Sequence, residues 1–270
     1  MPEPKMPVID RKVIEMEKER KEIIDNLWDK SQDNAVIQRL QAGEDLQTIM
    51  ESLQGFDEAF AQQPSVIACC DERVTVPGGK IGIAGSLVLA TAEEWDDFIE
   101  ANKGKITEVT SHDECGAAQA SFRQDSSGYP SAGQLGKSKA WQLAEALGAK
   151  YTHIEKGGMR SVPVHDAQFI CLDGTGRFNP EMMPEMPHAF VASGPGFGMG
   201  GQYIQRELQA LVGIALGDHG FGTRFTSENP LRIIIAAKDQ SQLEVLELVA
   251  EEAVNQFGDR VIVDGFTKNI

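Results

Sequence analysis

A short apolar run, Val66–Ala68, ends abruptly at two cysteines, a carboxylate and a guanidinium. A run this short does not fill a typical helix, and it fits a strand buried on both faces, as in a parallel sheet. In open parallel sheets, ligands bind beyond the carboxyl ends of the strands. The residues from Cys69 to Arg73 therefore stand where chemistry is expected. The side chains that complete a site with them should follow a neighbouring strand.

The wider pattern of the chain predicts an α/β fold with a mostly parallel central β-sheet flanked by helices. Hydrophobic residues make up 41% and charged residues 24% of the sequence, which is typical of a globular protein. We divide the chain into an N-terminal helical arm at 1–62, an α/β core at 63–178, and a C-terminal α/β extension of the same domain at 179–270. The arm has too little apolar surface to form its own core, so it must lie on the main domain or on a second subunit.

Several individual elements are predicted within these parts. An exposed amphipathic helix is expected from about residue 8 to residue 26. The apolar stretch 81–90 predicts a second strand that enters a tight turn at Gly82–Gly85, and a loop over 125–136 precedes a helix at 137–147. The alternating stretch 162–172 predicts a strand, and the glycine-rich residues after it predict a turn that joins two strands.

The net charge and the cysteine content indicate which classes of partner and which cellular compartment to expect. The formal charge is −16, from 41 acidic against 25 basic side chains, which disfavours nucleic acid and anionic membrane surfaces as partners. No apolar run is long enough to span a bilayer, and no secretory signal is visible. Four cysteines, two of them adjacent, do not form a disulfide framework. We expect a cytoplasmic protein.

A second reactive cluster follows another predicted strand, at 106–111. It contains His112 and Cys115, and Cys115 stands at the predicted start of a helix, where the helix dipole favours a thiolate. Together with Cys69 these residues supply two thiols and one imidazole. This set leaves zinc one protein ligand short of four, as in catalytic sites that keep a position for water.

Asp71 and Arg73 follow the first of these thiols at two and four residues. Arg73 can hold Asp71 in a bidentate ion pair and keep the carboxylate ionised. An ionised carboxylate beside a metal-bound hydroxide can accept its hydrogen bond and fix its orientation. We therefore interpret Asp71 and Arg73 as a catalytic dyad that positions and stabilises charge.

At these residues the chain resembles the β-class carbonic anhydrases, whose signature is Cys-x-Asp-x-Arg followed by His-x-x-Cys-Gly. The similarity covers roughly 56–178 and extends more weakly to Val164-His165 and to the glycine-rich turn at 174–176. It implies a zinc ion held by Cys69, His112 and Cys115. It also implies that a zinc-bound hydroxide attacks carbon dioxide to give bicarbonate, oriented by the dyad, in a homodimer or higher homo-oligomer clasped by N-terminal helices.

The chain also departs from that family. Ile83-Ala84-Gly85-Ser86 replaces an Arg-Asn-Ala-Gly-type segment, and residues beyond about 179 have no counterpart in the ordinary enzymes. The chain thus resembles a divergent branch, similar to the limiting-CO2-inducible B proteins. Two alternatives stay open: hydrolysis of carbonyl sulfide or carbon disulfide at the same site, and a catalytically inactive zinc-stabilised structural or sensor protein.

Other conspicuous residues have simpler interpretations. Cys70 points away from Cys69 along a strand and is expected in the core. The glycine-rich residues 194–201 lack a phosphate-loop fingerprint and predict a tight or flexible loop. Three further histidines are expected to be structural, with His219 the candidate for a proton shuttle among His165, His188 and His219. Packing is expected for the methionines Met182, Met183 and Met186.

Overall fold

The computed structural model describes residues 11–126 and 128–270, and it confirms an α/β fold. The helices of these residues are α1 (Arg11–Gln32), α2 (Ala35–Gln41), α3 (Leu46–Ser52), α4 (Ala92–Asn102), α5 (Gly116–Gln124), α6 (Ala132–Leu147), α7 (Gly201–Ala215) and α8 (Gln240–Val254). The strands are β1 (Val66–Ala68), β2 (Ile81–Gly82), β3 (Glu108–His112), β4 (Lys150–Ile154), β5 (Phe169–Asp173), β6 (Ala189–Ala192), β7 (Leu231–Ala237) and β8 (Val261–Thr267). Short 3-10 helices occupy Glu58–Phe60, Ala84–Ser86, Lys156–Gly158, Pro180–Met182, Gly194–Phe197, Gly222–Arg224 and Asn255–Arg260.

The strands form two four-stranded parallel sheets, where the sequence predicted one central sheet. The strand orders are β2-β1-β3-β4 and β6-β5-β7-β8, and every pairing is parallel. In each sheet the earliest strand lies between the second and third, and the fourth lies at an edge. The C-terminal half therefore repeats the topology of the N-terminal half, although no repeat is visible in the sequence.

The two sheets meet along the edges formed by β2 and β6. The amide of Ser193 donates to the carbonyl oxygen of Gly82 at 2.7 Å, and the amide of Gly82 donates to Ser193 Oγ at 3.2 Å. The amide of Val191 also donates to the carbonyl of Cys70 at 3.1 Å. A Cβ on Gly82 would stand 1.8 Å from the carbonyl oxygen of Val191, so only glycine permits this approach.

Both faces of the C-terminal sheet are buried, which explains the nearly continuous apolar runs of β5 and β7. Along β5 the side chains alternate. Phe169 and Cys171 pack in a core that includes α2 and α3. Ile170 and Leu172 pack in a second core that includes α7 and α8. A third core lies between the N-terminal sheet and helices α4 and α6.

The N-terminal arm packs on the C-terminal half of its own chain. Ile24, Leu27 and Trp28 of α1 lie against the core of α7 and α8. The Trp28 ring contacts Phe221 and Phe225 edge-on at centroid distances of 5.1 and 5.2 Å. The sequence allowed the arm to lie on the main domain or on a second subunit, and the structure shows it against the main domain of its own chain. The predicted helix start at residue 8 lies outside the described residues.

The strand predicted at Ile81 enters its turn after Gly82, as expected, and Gly85, Ser86 and Leu87 take left-handed conformations (φ of 53°, 54° and 70°). Two other element predictions were wrong. The loop expected over 125–136 ends early, because Ser131 Oγ accepts the amide of Gln134 and caps α6 at Ala132.

The strand expected over 162–172 is confined to Phe169–Asp173. The turn after it leads to β6, a parallel neighbour that the sequence analysis did not predict. Sequence analysis also missed β4, a half-exposed edge strand of polar composition.

Candidate metal centre

The strand arrangement brings the three predicted metal ligands together. β1 and β3 are parallel neighbours, with Val66 opposite Glu108, so their carboxyl ends meet at one edge. Cys69 directly follows β1, His112 is the last residue of β3, and Cys115 is the N-cap of α5. Their potential ligand atoms all lie within 4.8 Å of one another, and all three residues are buried. The cluster could hold a metal ion.

The donor atoms of this cluster fit a bound metal. The Sγ atoms of Cys69 and Cys115 lie 3.9 Å apart. His112 Nδ1 lies 2.7 Å from the carbonyl oxygen of Asp113, which fixes Nδ1–H as the donor and leaves a lone pair on Nε2. His112 Nε2 is buried, and among residues 11–126 and 128–270 it has no hydrogen-bond partner. An imidazole nitrogen with a lone pair near two thiols suits a metal ligand set.

The local electrostatics favour a thiolate at Cys69. The hydrogen bond from Cys115 lowers the pKa of the Cys69 thiol well below its ordinary value, although burial opposes this. The amide of Gly85 also points at Cys69 Sγ, 3.4 Å away. Cys69 shares its environment with Cys115, whose pKa is raised by the same contact. A cation would be needed to ionise both thiols together.

The segment between His112 and Cys115 is strained. Glu114 has a φ of 56°, in the left-handed region that a residue with a Cβ rarely adopts. Lys156 Nζ donates to Glu114 Oε1 at 2.8 Å, and the amide of Lys156 donates to Asp113 Oδ2 at 3.1 Å. His153 Nε2 lies 3.1 Å from the other oxygen of Asp113. These contacts hold the turn that aims both ligands at one point.

Asp71 and Arg73 form the expected ion pair beside the ligands. Asp71 Oδ1 accepts from the amide and Nε of Arg73 at 2.9 and 3.0 Å, and Oδ2 accepts from Nη2 at 2.7 Å. Burial raises the pKa of Asp71, but the Arg73 hydrogen bonds and the charges of His165 and His112 lower it more, so the carboxylate stays ionised. Asp71 Oδ2 lies 3.9 Å from His112 Nε2.

A buried lysine holds the turn that carries this pair. Lys80 Nζ donates to the carbonyl oxygens of Asp71 and Val74 at 2.6 and 2.8 Å. The Asp71 backbone is thereby fixed independently of its side chain. The carboxylate can keep its orientation toward His112 while its oxygens bind Arg73.

Sequence analysis missed a second cluster next to the dyad, formed by Asp71, Glu72 and His165. His165 Nδ1 lies 3.0 Å from both carboxylate oxygens of Glu72 and 3.9 Å from Asp71 Oδ1. All three residues are buried, and their ligand atoms also lie close enough to hold a metal. The sequence signal was the weak similarity at Val164-His165, and His165 was expected to be structural.

The C-terminal half also reaches the site, through Glu207 of α7. Glu207 is fully buried, and its Oε1 accepts from the amide of Ala84 at 2.7 Å, the hydroxyl of Tyr203 at 3.1 Å and the thiol of Cys70 at 3.5 Å. Burial raises the pKa of Glu207 to about 7. Cys70 is buried, as predicted for a core residue. Glu207 thus anchors the segment whose next residue, Gly85, contacts Cys69.

The other histidines are not brought into the ligand cluster. His188 is largely exposed and bonds to Asp166 Oδ2 at 3.0 Å. The carbonyl oxygen of His219 accepts the amide of His165 at 2.7 Å, and His219 lines a cavity with it. The glycine-rich segment packs tightly, since a Cβ on Gly196 would stand 2.3 Å from the amide nitrogen of Gly176.

That cavity, of about 460 Å³, opens beside the dyad. Its lining includes Arg73, Gly116 and His165, which adjoin the site, and also Lys156 and Arg160. Each of the three cations is paired with a carboxylate: Arg73 with Asp71, Lys156 with Glu114, and Arg160 with Asp166. The cavity therefore has a polar wall that carries both signs of charge.

Comparisons with known proteins add no relative: no protein family, curated protein or solved structure matches the chain. In the part of the chain that the structure describes, no helix has the length and apolar composition needed to cross a membrane.

Proposed function

We propose that the chain is a zinc-dependent carbonic anhydrase that reversibly hydrates carbon dioxide to bicarbonate. The observation that carries this proposal is the convergence of Cys69, His112 and Cys115, with an orphaned imidazole nitrogen, beside the Asp71–Arg73 ion pair. Two thiols and an imidazole suit zinc, and three protein ligands leave one position for a reactant. The paired motifs that resemble β-class carbonic anhydrases support the same reaction.

In this proposal each side chain has a definite task. A zinc ion held by Cys69, His112 and Cys115 would act as a Lewis acid and lower the pKa of a coordinated water to about 7. Asp71 accepts a hydrogen bond from the attacking water and so aligns the oxygen lone pair with the carbon of CO2. Arg73 binds both oxygens of Asp71, which keeps the carboxylate ionised and fixes its direction.

The adjoining cavity supports access of a small substrate to the dyad. Arg73 and His165 line a space of about 460 Å³, which is much larger than carbon dioxide requires.

Metal analysis combined with stopped-flow hydration tests the proposal. We expect about one zinc per wild-type chain and loss of zinc in Cys115→Ala. Cys171→Ala is the matched control, because Cys171 is a buried free thiol in the C-terminal core. The control should keep both zinc and activity. Equal zinc content in the two variants would contradict the ligand assignment.

Asp71→Ala separates catalysis from metal binding. The variant should keep its zinc, because no proposed ligand is removed, and it should lose most hydration activity.

The alternatives predict other outcomes. If the protein turned over carbonyl sulfide or carbon disulfide in preference to carbon dioxide, the proposed substrate would be wrong and the hydrolase alternative would be favoured. Full zinc occupancy with no turnover of any of the three gases would favour a structural or sensor protein. The expected homodimer or larger homo-oligomer stays a prediction that sedimentation velocity can test.

A further inference from the structure

Each sheet has one point where the connections between successive strands leave in opposite directions. In the N-terminal sheet β1 leads to β2 on one side and β3 leads to β4 on the other, so this point lies between β1 and β3. Ligands of open α/β sheets bind beyond the carboxyl ends of the strands at such a point, and the cluster of Cys69, His112 and Cys115 lies there. β5 and β7 flank the corresponding point of the C-terminal sheet. The same rule therefore predicts a ligand site beyond the carboxyl ends of β5 and β7.

A cavity of about 220 Å³ opens at this second point. Thr175, Gly176 and Arg177 line it from the turn after β5, and Lys238 lines it directly after β7. Gly196, which follows β6, also lines it, and a Cβ there would stand 2.3 Å from the amide nitrogen of Gly176. Because both residues are glycines, part of the wall is backbone without side chains, which leaves room for a ligand between the two cations.

The two cations of this cavity are unpaired. Within residues 11–126 and 128–270, the side chains of Arg177 and Lys238 make no hydrogen bond and no ion pair. The carboxylates of Glu58 and Glu181 line a neighbouring cavity with Arg177, but neither forms an ion pair with it. Ile270 lines the cavity as well, and its carboxyl group pairs with neither cation. In a chain with a net charge of −16, two unpaired cations at one cavity favour an anionic ligand.

The carboxylates on the same two turns are already bound within the fold. Asp173 is fully buried, and its Oδ1 accepts the amides of Thr175 and Gly176 at 2.9 and 3.0 Å. Asp239 caps α8, where its Oδ1 accepts the amide of Gln242 at 2.9 Å. These two negative charges therefore stabilise their own turns and leave both cations available.

We propose that this cavity binds a phosphate group through Arg177 and Lys238. A phosphate monoester carries a charge of about −1.5 to −2 at pH 7, which matches two cations, whereas a carboxylate carries a single charge. The guanidinium of arginine can bind two phosphate oxygens at once, and the lysine ammonium adds a point charge. A space of about 220 Å³ admits a phosphate group with a small organic part. This inference does not rest on the proposed function, because binding here requires neither zinc nor hydration activity.

Isothermal titration calorimetry of the zinc-loaded protein with inorganic phosphate at low ionic strength tests the proposal. We expect one saturable site per chain, with an affinity that falls on the order of 10-fold or more in Arg177→Met and in Lys238→Met, because each change removes a charge-assisted contact. Lys103→Met is the matched control, because Lys103 is an exposed lysine at the C-cap of α4, outside the cavity. The control should bind phosphate as the wild type does. No saturable binding to the wild type, or wild-type affinity in both cavity variants, would overturn the proposal.

Two further titrations locate the anion and identify its source. Phosphate can also bind a zinc ion, so binding that is lost in Cys115→Ala and kept in Arg177→Met would place it at the metal centre and overturn the proposal. We expect the reverse pattern. Tighter binding of glycerol 3-phosphate than of inorganic phosphate would indicate an organic phosphate as the ligand, and the opposite order would indicate the free ion. Acetate that binds more tightly than both would overturn the assignment to phosphate.

Discussion

Glu207 should make the stability of this protein depend on pH in a direction opposite to that of an ordinary paired carboxylate. Its pKa is raised by burial from 4.5 to about 7. Between these two values the folded chain binds more protons than the unfolded chain at this position, so stability falls as pH rises. The contribution is fully present below about pH 4.5 and is lost as pH passes 7.

The size of this effect follows from the same two pKa values. A difference of about 2.5 pH units at about 1.4 kcal/mol each gives a total of about 3 kcal/mol. Most of it, about 2.5 kcal/mol, falls between about pH 5 and pH 8. Solvent screening does not reduce this stability contribution, because Glu207 is fully buried.

Urea unfolding of the wild type and Glu207→Gln across this range measures the effect. The amide has no charge at any of these pH values, and its oxygen can still accept from the amide of Ala84 and the hydroxyl of Tyr203. The wild type should therefore lose about 2.5 kcal/mol relative to Glu207→Gln between about pH 5 and pH 8, at matched zinc content.

Glu145→Gln, an exposed position on α6, is the control and should parallel the wild type. A constant difference between the wild type and Glu207→Gln over the whole range would refute the reasoning. It would mean that burial does not govern the proton affinity of Glu207.

Two further changes test the ion pair and the junction of the sheets. Arg73→Met should lower the free energy of unfolding by about 3 to 5 kcal/mol, because it removes the guanidinium that is paired with the buried carboxylate of Asp71; a urea midpoint equal to that of the wild type would contradict this. Gly82→Ala should cost about 3 kcal/mol or more, because its Cβ would meet the carbonyl of Val191. Gly213→Ala, at an open position in α7, should instead stabilise by about 0.5 to 1 kcal/mol, and thermal melts of the two variants compare them directly.

The ligand cluster was accessible from sequence because two local rules fix it. An apolar strand that ends in Cys69, and another that ends in His112, bring their tips together when the strands are parallel neighbours. Cys115 follows at helix-start spacing, so its position depends on only three residues of chain. The pairing of two strands is the one long-range contact needed to bring these side chains together.

The support around the cluster was less accessible, because it depends on long-range contacts. His165 and Glu72 are 93 residues apart in the chain. Glu207 did carry a signal: it follows Tyr203 and precedes Leu211 by four residues each, which places a carboxyl group on the apolar face of α7. A charged residue on a buried stripe needs partners, and these came from another part of the fold.

The repeated topology was missed for a different reason. β2 has only two residues, β6 has four, and β4 is polar and half exposed, so the sequence does not show two equal sets of four strands. Hydrogen bonding to neighbouring strands, and not local composition, defines these short elements. A repeat of strand order can therefore exist without a repeat of sequence.

The C-terminal half is more than an extension of the core, because it binds the backbone segment that contacts Cys69. Ser193 bonds to Gly82 through its amide and its hydroxyl, and Glu207 bonds to the amide of Ala84. The next amide, that of Gly85, points at Cys69 Sγ. A segment of four residues is thus fixed by the C-terminal half on one side and directed at a proposed metal ligand on the other. The sequence motif supplies the ligands, whereas the repeated half of the fold determines how firmly one of them is held.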